Sequence, residues 1–455
     1  MSWFFSVLHR CRASIRPRPG PMALVSLALA WGAPAHAVPS YARQTGADCA
    51  VCHVGAFGPQ LTPYGIAFKL GAYSDTDGKS GKVPLSGMLL ANWTHSAAPL
   101  TEVPDGFHDN NNRAVQETSV FLAGRLAEST GAFVQSTYSG VDRAWALDQF
   151  DLRHARSVRL GGREATLGLS LNGNPTLTDP FNTLGQWRFP YTSSDFGFGQ
   201  GPTPLVENLG GAVAGLNVYT LWDRHLYAEL GLYDTLSTRL IHAVHGADAG
   251  RFQGLAPYAR VAWFEDRKRD NFSVGLLAFR ARVLPDRDAS SGADRYTDYG
   301  VDASYQYLGN RRDVWTVNAS WIKERQVLDH SFGVEAAANR RNTLDNLRIA
   351  ASYHRDQTWG ATAAWFRSQG SADGSLYGAS LNGRPDTAGV VLQADWTPWG
   401  KETSWAAPWA NVRLGLQHTA YTRFEGGSSY VDESSGATRR ARDNNTTMLF
   451  LWTAF

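Results

Sequence analysis

From residue 83 onward, apolar and polar residues alternate in short runs. Trp315, Val317, Ala319 and Trp321 alternate with Thr316, Asn318 and Ser320. Leu347, Ile349, Ala351 and Tyr353 alternate likewise with Arg348, Ser352 and His354, and Ala410, Val412, Leu414 and Leu416 with Asn411, Arg413 and Gln417. A period of two places one class of residue on each face of a strand. Sixteen such segments are predicted: 83–95, 117–128, 131–141, 147–158, 165–172, 210–222, 225–234, 254–265, 271–283, 298–309, 314–325, 347–355, 358–368, 387–397, 409–421 and 446–455. Most come close to the roughly 9–11 residues that a tilted transmembrane strand needs.

The connections carry as much information as the strands. After the second, sixth and twelfth strands they are the dipeptides Ser129-Thr130, Asp223-Arg224 and Asp356-Gln357. Several connections after odd strands are long, among them 96–116, 173–209, 235–253, 326–346, 369–386 and 422–445. Short turns at one end and long loops at the other describe an outer-membrane barrel, short turns periplasmic and long loops extracellular. The expected fold is therefore all-β, a transmembrane antiparallel barrel of sixteen strands over 83–455. The segment 173–209 is expected outside the cell. A soluble propeller is the competing architecture, but it calls for a repeat of about 40–50 residues, and none is present. The C-terminal run Thr446–Phe455 ends on an aromatic carboxylate, as barrel strands inserted in outer membranes do; Thr453 departs from the hydrophobic residue usual two positions earlier.

Composition supports the β reading, with 45 Gly, 16 Trp, 17 Tyr and 21 Phe. Residues 1–37 read as a secretory signal peptide: Arg10, Arg12, Arg16 and Arg18, an apolar run from Met22 to Trp31, and the small-x-small site Ala35-His36-Ala37. Without them the chain carries 39 basic and 41 acidic residues, a net charge near −2 that gives no indication of nucleic-acid binding. Cys11 leaves with the leader, and Cys49 and Cys52 are the remaining thiols.

Those two thiols stand in Cys49-Ala50-Val51-Cys52-His53, the C-x-x-C-H spacing of covalent haem attachment. Each sulfur adds to one vinyl group, and the adjoining imidazole becomes the proximal iron ligand. The competing readings are a redox dithiol, which wants a βαβ setting, and half of a zinc site, which wants a second pair of ligands. Neither context is present around residues 40–80. The expected cofactor is one covalent haem c, with Cys49, Cys52 and His53 as its residues.

The module that carries the motif, 38–82, is too small to enclose a porphyrin alone. Thr62 is expected to cap a short helix through Tyr64–Leu70, with Pro63 at its first position. A sixteen-strand barrel has a lumen wide enough for a plug, so the economical arrangement is a haem plug at the periplasmic mouth. The mature chain has two thioethers, Met88 and Met448. With Leu85, Leu89, Ala91 and Trp93 facing lipid, Ser86, Met88, Asn92 and Thr94 face the lumen. Met88 is thus the candidate sixth ligand, with His95 and His108 in reserve. Arg125, Arg260, Arg280, Arg282, Arg348, Asp395 and Arg413 fall on polar strand faces and are expected to line the lumen.

The chain resembles the outer-membrane fused cytochrome–porins, whose iron-oxidising members carry electrons inward from ferrous iron outside the cell. The resemblance rests on Pro39-Ser40-Tyr41-Ala42-Arg43-Gln44-Thr45-Gly46, the C-x-x-C-H motif, and Phe57-Gly58-Pro59-Gln60-Leu61-Thr62-Pro63-Tyr64-Gly65 with Phe68-Lys69. It implies electron transfer across the outer membrane of a Gram-negative bacterium, between an extracellular donor such as Fe(II) and a periplasmic electron-carrier protein. Two other function classes fit the same residues: a solute porin gated or sensed by its haem plug, and a haem enzyme of peroxidase type with an open iron position.

Overall fold

A computed structural model describes residues 38–401 and 403–455; the expected signal peptide, 1–37, lies outside the described residues. Sixteen antiparallel strands form the wall. The first eight are β1 (Leu85–Ser96), β2 (Asn112–Ala127), β3 (Thr130–Ser139), β4 (Ala144–Leu160), β5 (Arg163–Asn172), β6 (Val213–Trp222), β7 (Leu226–Thr235) and β8 (Ala256–Asp266). They are followed by β9 (Asp270–Leu284), β10 (Asp294–Tyr307), β11 (Asp313–Leu328), β12 (Arg341–Arg355), β13 (Trp359–Gly370), β14 (Thr387–Trp396), β15 (Asn411–Arg423) and β16 (Thr446–Ala454). Each strand pairs with the next, and β1 pairs with β16 from Met88↔Ala454 to Ser96↔Thr446, so the sheet closes on itself. Closure leaves no unpaired edge. A two-residue strand, Arg251–Phe252, extends the rim beside β9.

The faces sort as the alternation predicts. Trp315, Val317 and Trp321 point outward and are 54%, 44% and 37% exposed, while Thr316 and Ser320 are buried inside. Trp222, Trp263, Trp315, Trp359 and Trp396 form an outward ring near the short-turn end, the aromatic girdle of a membrane barrel. The turns at this end are tight because both central residues adopt positive φ: Gly161 and Gly162 at +61° and +79°, Asp223 and Arg224 at +51° and +64°. That is the twist-matched two-residue hairpin. Several strands run further at the opposite end than expected: β2 starts at Asn112, β10 at Asp294 and β12 at Arg341. Polar residues on both faces conceal these extensions from a period-two reading.

The 38–82 module sits in the short-turn mouth, where β1 begins and β16 ends. It contains α1 (Pro39–Thr45), α2 (Cys49–Cys52) and α3 (Pro63–Leu70). The wall holds it from several sides. Tyr41 donates to the Ala132 carbonyl of β3 at 2.8 Å, Tyr219 of β6 to the Leu70 carbonyl at 2.8 Å, and Gln306 of β10 to the Leu61 carbonyl at 2.7 Å.

Two expectations need correction. The long connection 173–212 does not extend away from the barrel; it folds back into the lumen. Leu184, Val206 and Leu209 are fully buried against Tyr258, Phe279, Ala281 and Val283. Asp179, also fully buried, accepts from the backbone amides of Phe181, Thr183 and Leu184 and pairs with Arg260 of β8 at 3.0 Å. Arg280 and Arg282 do not line the lumen. Phe279, Ala281 and Val283 take the inner face of β9 to pack on this loop, which turns both arginines outward. Arg125 is exposed at the short-turn rim, whereas Arg260, Arg348, Asp395 and Arg413 are buried inside.

Candidate haem site

The motif begins on a single helical turn. Asp48 caps α2 by accepting from the Val51 amide at 3.0 Å, and His53 ends it with its amide on the Cys49 carbonyl at 2.8 Å. Cys49 and Cys52, three residues apart, share one side of that turn. The chain then leaves as an extended bridge, His53 opposite Leu61. Thr62 caps α3 with Pro63 at its start, as expected, and its amide also donates to the Cys52 carbonyl at 2.9 Å. At Gly65 an added Cβ would sit 2.4 Å from that carbonyl oxygen, so only glycine lets α3 cross so close to the motif.

The electrostatics suit a holder rather than a reactive dithiol. Both cysteines are free, and burial, reinforced at Cys49 by Asp48, pushes each thiol up to about 12. Burial lowers the His53 imidazole to about 4, with Arg413 adding to the effect against the Gln60 carbonyl, which favours the charged ring. The ring is therefore neutral at ordinary pH, the state in which a histidine nitrogen can bind a metal. Its Nδ1 is buried without a hydrogen-bond partner.

Cys49, Cys52, His53 and Met88 all line one cavity of about 2040 Å³ that runs up the lumen. Typical small-ligand pockets are roughly 300–1,000 Å³. Around the motif its wall is apolar: Phe57, Phe68, Tyr73, Phe121, Phe133 and Trp452 pack with Met88 in one cluster. The sequence reading missed this lining. Its signal is present, since Val120-Phe121-Leu122 and Leu449-Phe450-Leu451-Trp452 are apolar on both faces where the alternation predicts a polar inner face. Met448 is buried in the same cluster, but its sulfur accepts from Asn92 at 3.7 Å and it does not line the cavity. His95 and His108 are not brought to the site. His95 is exposed at the far end of β1, stacked on Trp93 and bonded to Asn111, and His108 is exposed in the loop that follows.

A haem fits these residues: two unpaired thiols on one side of a helical turn, a neutral imidazole with an orphaned nitrogen, and an aromatic enclosure with room to spare. The surrounding contacts hold the motif in place. Arg413 of β15 donates to the Gly55 and Phe57 carbonyls at 3.2 and 3.0 Å, lies 5.1 Å over the Phe57 ring, and is 3.6 Å from Asp395. The Gly55 amide donates to Gln357 at 2.6 Å, and buried His354 packs where a Cβ on Gly55 would fall. Lys69 of α3 reaches the in-folded loop, donating to the Asp179 carbonyl at 2.6 Å and to Asn182 at 2.9 Å. Nine carboxylate residues line the cavity, Asp48 beside the motif and eight beyond it, against one ammonium, Lys69, and no arginine among the described residues.

No family model matches the sequence, and no curated protein matches it. Among solved structures, the chain is similar to Salmonella typhi OmpF in complex with daunomycin, at 12% identity over 82% of this chain and 97% of that one, TM-score 0.48. It is also similar to the outer membrane channel DcaP of Acinetobacter baumannii (12% identity, 82% and 96% covered, TM-score 0.43) and to the anion-selective porin from Comamonas acidovorans (10% identity, 82% and 98% covered, TM-score 0.42). The barrel is porin-like. Its closed sixteen-strand wall, polar lumen and in-folded loop 173–212 say so without reference to any neighbour. Within the porin-like barrel the plug occupies the mouth that an open channel would leave clear.

Proposed function

We propose that the protein is an outer-membrane monohaem electron carrier, passing electrons between an extracellular donor of the ferrous-ion class and a periplasmic carrier protein. Cys49 and Cys52 would hold one covalent haem c, His53 would be its proximal ligand and Met88 its sixth. Such a haem supplies reversible one-electron chemistry at its iron. The observation that carries the reading is the convergence of Cys49, Cys52, His53 and Met88 on one aromatic-lined cavity. Phe57, Phe68 and Trp452 would exclude water from that region, and Arg413 would fix the backbone that presents His53. The eight carboxylates beyond the motif favour a cationic donor over an anionic one.

A solute porin with the plug as gate is the second reading, favoured by the size of the lumen. Against it stand the many hydrogen bonds between plug, wall and in-folded loop, which resist displacement. Absorption spectra of the purified protein, oxidised, chemically reduced, and mixed with ferrous iron, test the proposal. Electron carriage predicts a c-type haem spectrum that ferrous iron reduces. A haem that ferrous iron leaves oxidised removes that donor, and a protein without haem removes the proposal.

A further inference from the structure

On one flank the wall rises well above the height a membrane requires. Strands β9, β10, β11 and β12 are 15, 14, 16 and 15 residues long, against 10 each for β5, β6 and β7. About 9–11 residues cross the hydrocarbon. The extra turns of chain project at the long-loop end, where Phe279, Ala281 and Val283 bind the in-folded loop on the inner face. The outer face of this projection is basic.

The register sets its geometry. One row across the four strands reads Arg280, Thr297, Arg325, Thr343, and the row above it reads Arg282, Arg295, Val327, Arg341. Arg280, Arg282, Arg325 and Arg341 are exposed, and none has a carboxylate within ion-pairing distance among the described residues. Arg295 pairs with Asp329 at 3.2 Å, and in the row below Lys323 pairs with Asp345 at 3.6 Å. Tyr299 shares that row, and further down the face is apolar at Val301 and Trp321. The far flank presents Leu171, Leu216 and Leu232 at the corresponding strand ends, 44%, 58% and 50% exposed. The stretch from β5 to β7 therefore carries no matching charge at that level.

We infer that this face is a binding site for the phosphorylated headgroup of an outer-leaflet glycolipid. Planar guanidinium groups match phosphate oxygens in pairs, and basic side chains above an aromatic and aliphatic band bind anionic lipids at the headgroup level. With strands about 4.8 Å apart, the rows from β9 to β12 span roughly 14 Å. That is wide enough to engage two phosphates on one headgroup while the acyl chains lie against Val301 and Ile349. The inference rests on the proposed outer-membrane orientation, with the plug end periplasmic, and is independent of the haem.

The test uses the full-length protein purified in mild detergent, with bound lipid read by native mass spectrometry. The wild type is expected to retain a bisphosphorylated glycolipid in preference to its dephosphorylated form. The variant Arg280→Gln, Arg282→Gln, Arg325→Gln, Arg341→Gln should lose about tenfold or more of that retention, while Arg113→Gln on the far flank should not. Heat-dependent gel migration shows whether each variant is a folded barrel, and the comparison of phosphorylated with dephosphorylated lipid needs no variant. Equal retention by the quadruple variant, or of the dephosphorylated lipid, overturns the inference. So does equal binding of phosphatidylglycerol, or complete displacement by inorganic phosphate, since either reduces the face to a generic anion surface. A protein that retains the glycolipid but carries no haem would remove the electron-carrier reading and leave this one standing.

Discussion

At the scale of single residues, the site depends on what burial does to a few side chains. Cys49 and Cys52 are held as thiols and His53 as a neutral ring because none can afford charge in an aromatic enclosure. Covalent attachment through both sulfurs predicts that Cys49→Ala with Cys52→Ala gives a folded barrel without haem stain on a denaturing gel; retained stain would refute the attachment. Met88 permits a sharper test. A thioether favours ferrous over ferric iron more than an imidazole does and so raises the potential. Met88→Ala should lower the midpoint in a redox titration, abolish the far-red sulfur-to-iron band and open the iron to cyanide. An unchanged spectrum cannot be rescued by His95 or His108, both exposed at the far end of the wall. It would exclude Met88 and leave the sixth position either open, as in a peroxidase-type site, or held by another residue of the cavity wall.

At the scale of elements, the plug holds its place through groups on the wall, and Arg413 is the clearest of them. Its guanidinium satisfies the Gly55 and Phe57 carbonyls while compensating Asp395, and both charged side chains are 2% exposed. Removing one partner of a buried pair costs about 3–5 kcal/mol. Arg413→Ala should therefore lower hydrogen-exchange protection of 53–57 by an amount of that order, with the strands far from β15 unaffected; uniform loss around the barrel would mean a general folding defect. The sequence reveals the strands because lipid outside and water inside force a period of two, and it reveals Cys49, Cys52 and His53 because their spacing is chemical. It does not reveal where a loop goes. The stretch 173–212 looks like any long extracellular connection until Asp179 meets Arg260 across the lumen, a contact between residues 81 apart. The facing of Arg280 and Arg282 was hidden for the same reason: Phe279, Ala281 and Val283 face inward only because that loop is there to pack against.

At the scale of the whole molecule, the lumen is a wide vestibule lined mainly by one sign of charge. Arginines such as Arg153, Arg260, Arg348 and Arg413 are inside the barrel, but they are engaged by carboxylates, carbonyls or amides of the wall, plug and in-folded loop. What lines the cavity is nine carboxylate residues, of which Asp248 is paired with Arg287 at 2.9 Å, and Lys69. A passage lined by one sign of charge between low-dielectric walls concentrates the opposite sign and raises its encounter rate by about 10–10³-fold, an effect that falls as salt screens it. Protein made without haem keeps Cys49 and Cys52 as free thiols at the bottom of this passage, where they serve as reporters. A methanethiosulfonate reagent bearing a trimethylammonium group should modify them at least about tenfold faster than its sulfonate counterpart at low salt. The ratio should shrink toward unity near 1 M salt, where the screening length falls to about 3 Å. Glu117→Gln with Asp148→Asn and Asp195→Asn, three of the carboxylates on the cavity wall, should reduce the ratio without altering the rate for an uncharged reagent. Equal rates for the two charged reagents at low salt would mean that the carboxylates are neutralised within the barrel. The preference for a cationic donor would then lose its physical basis, whatever the haem proves to do.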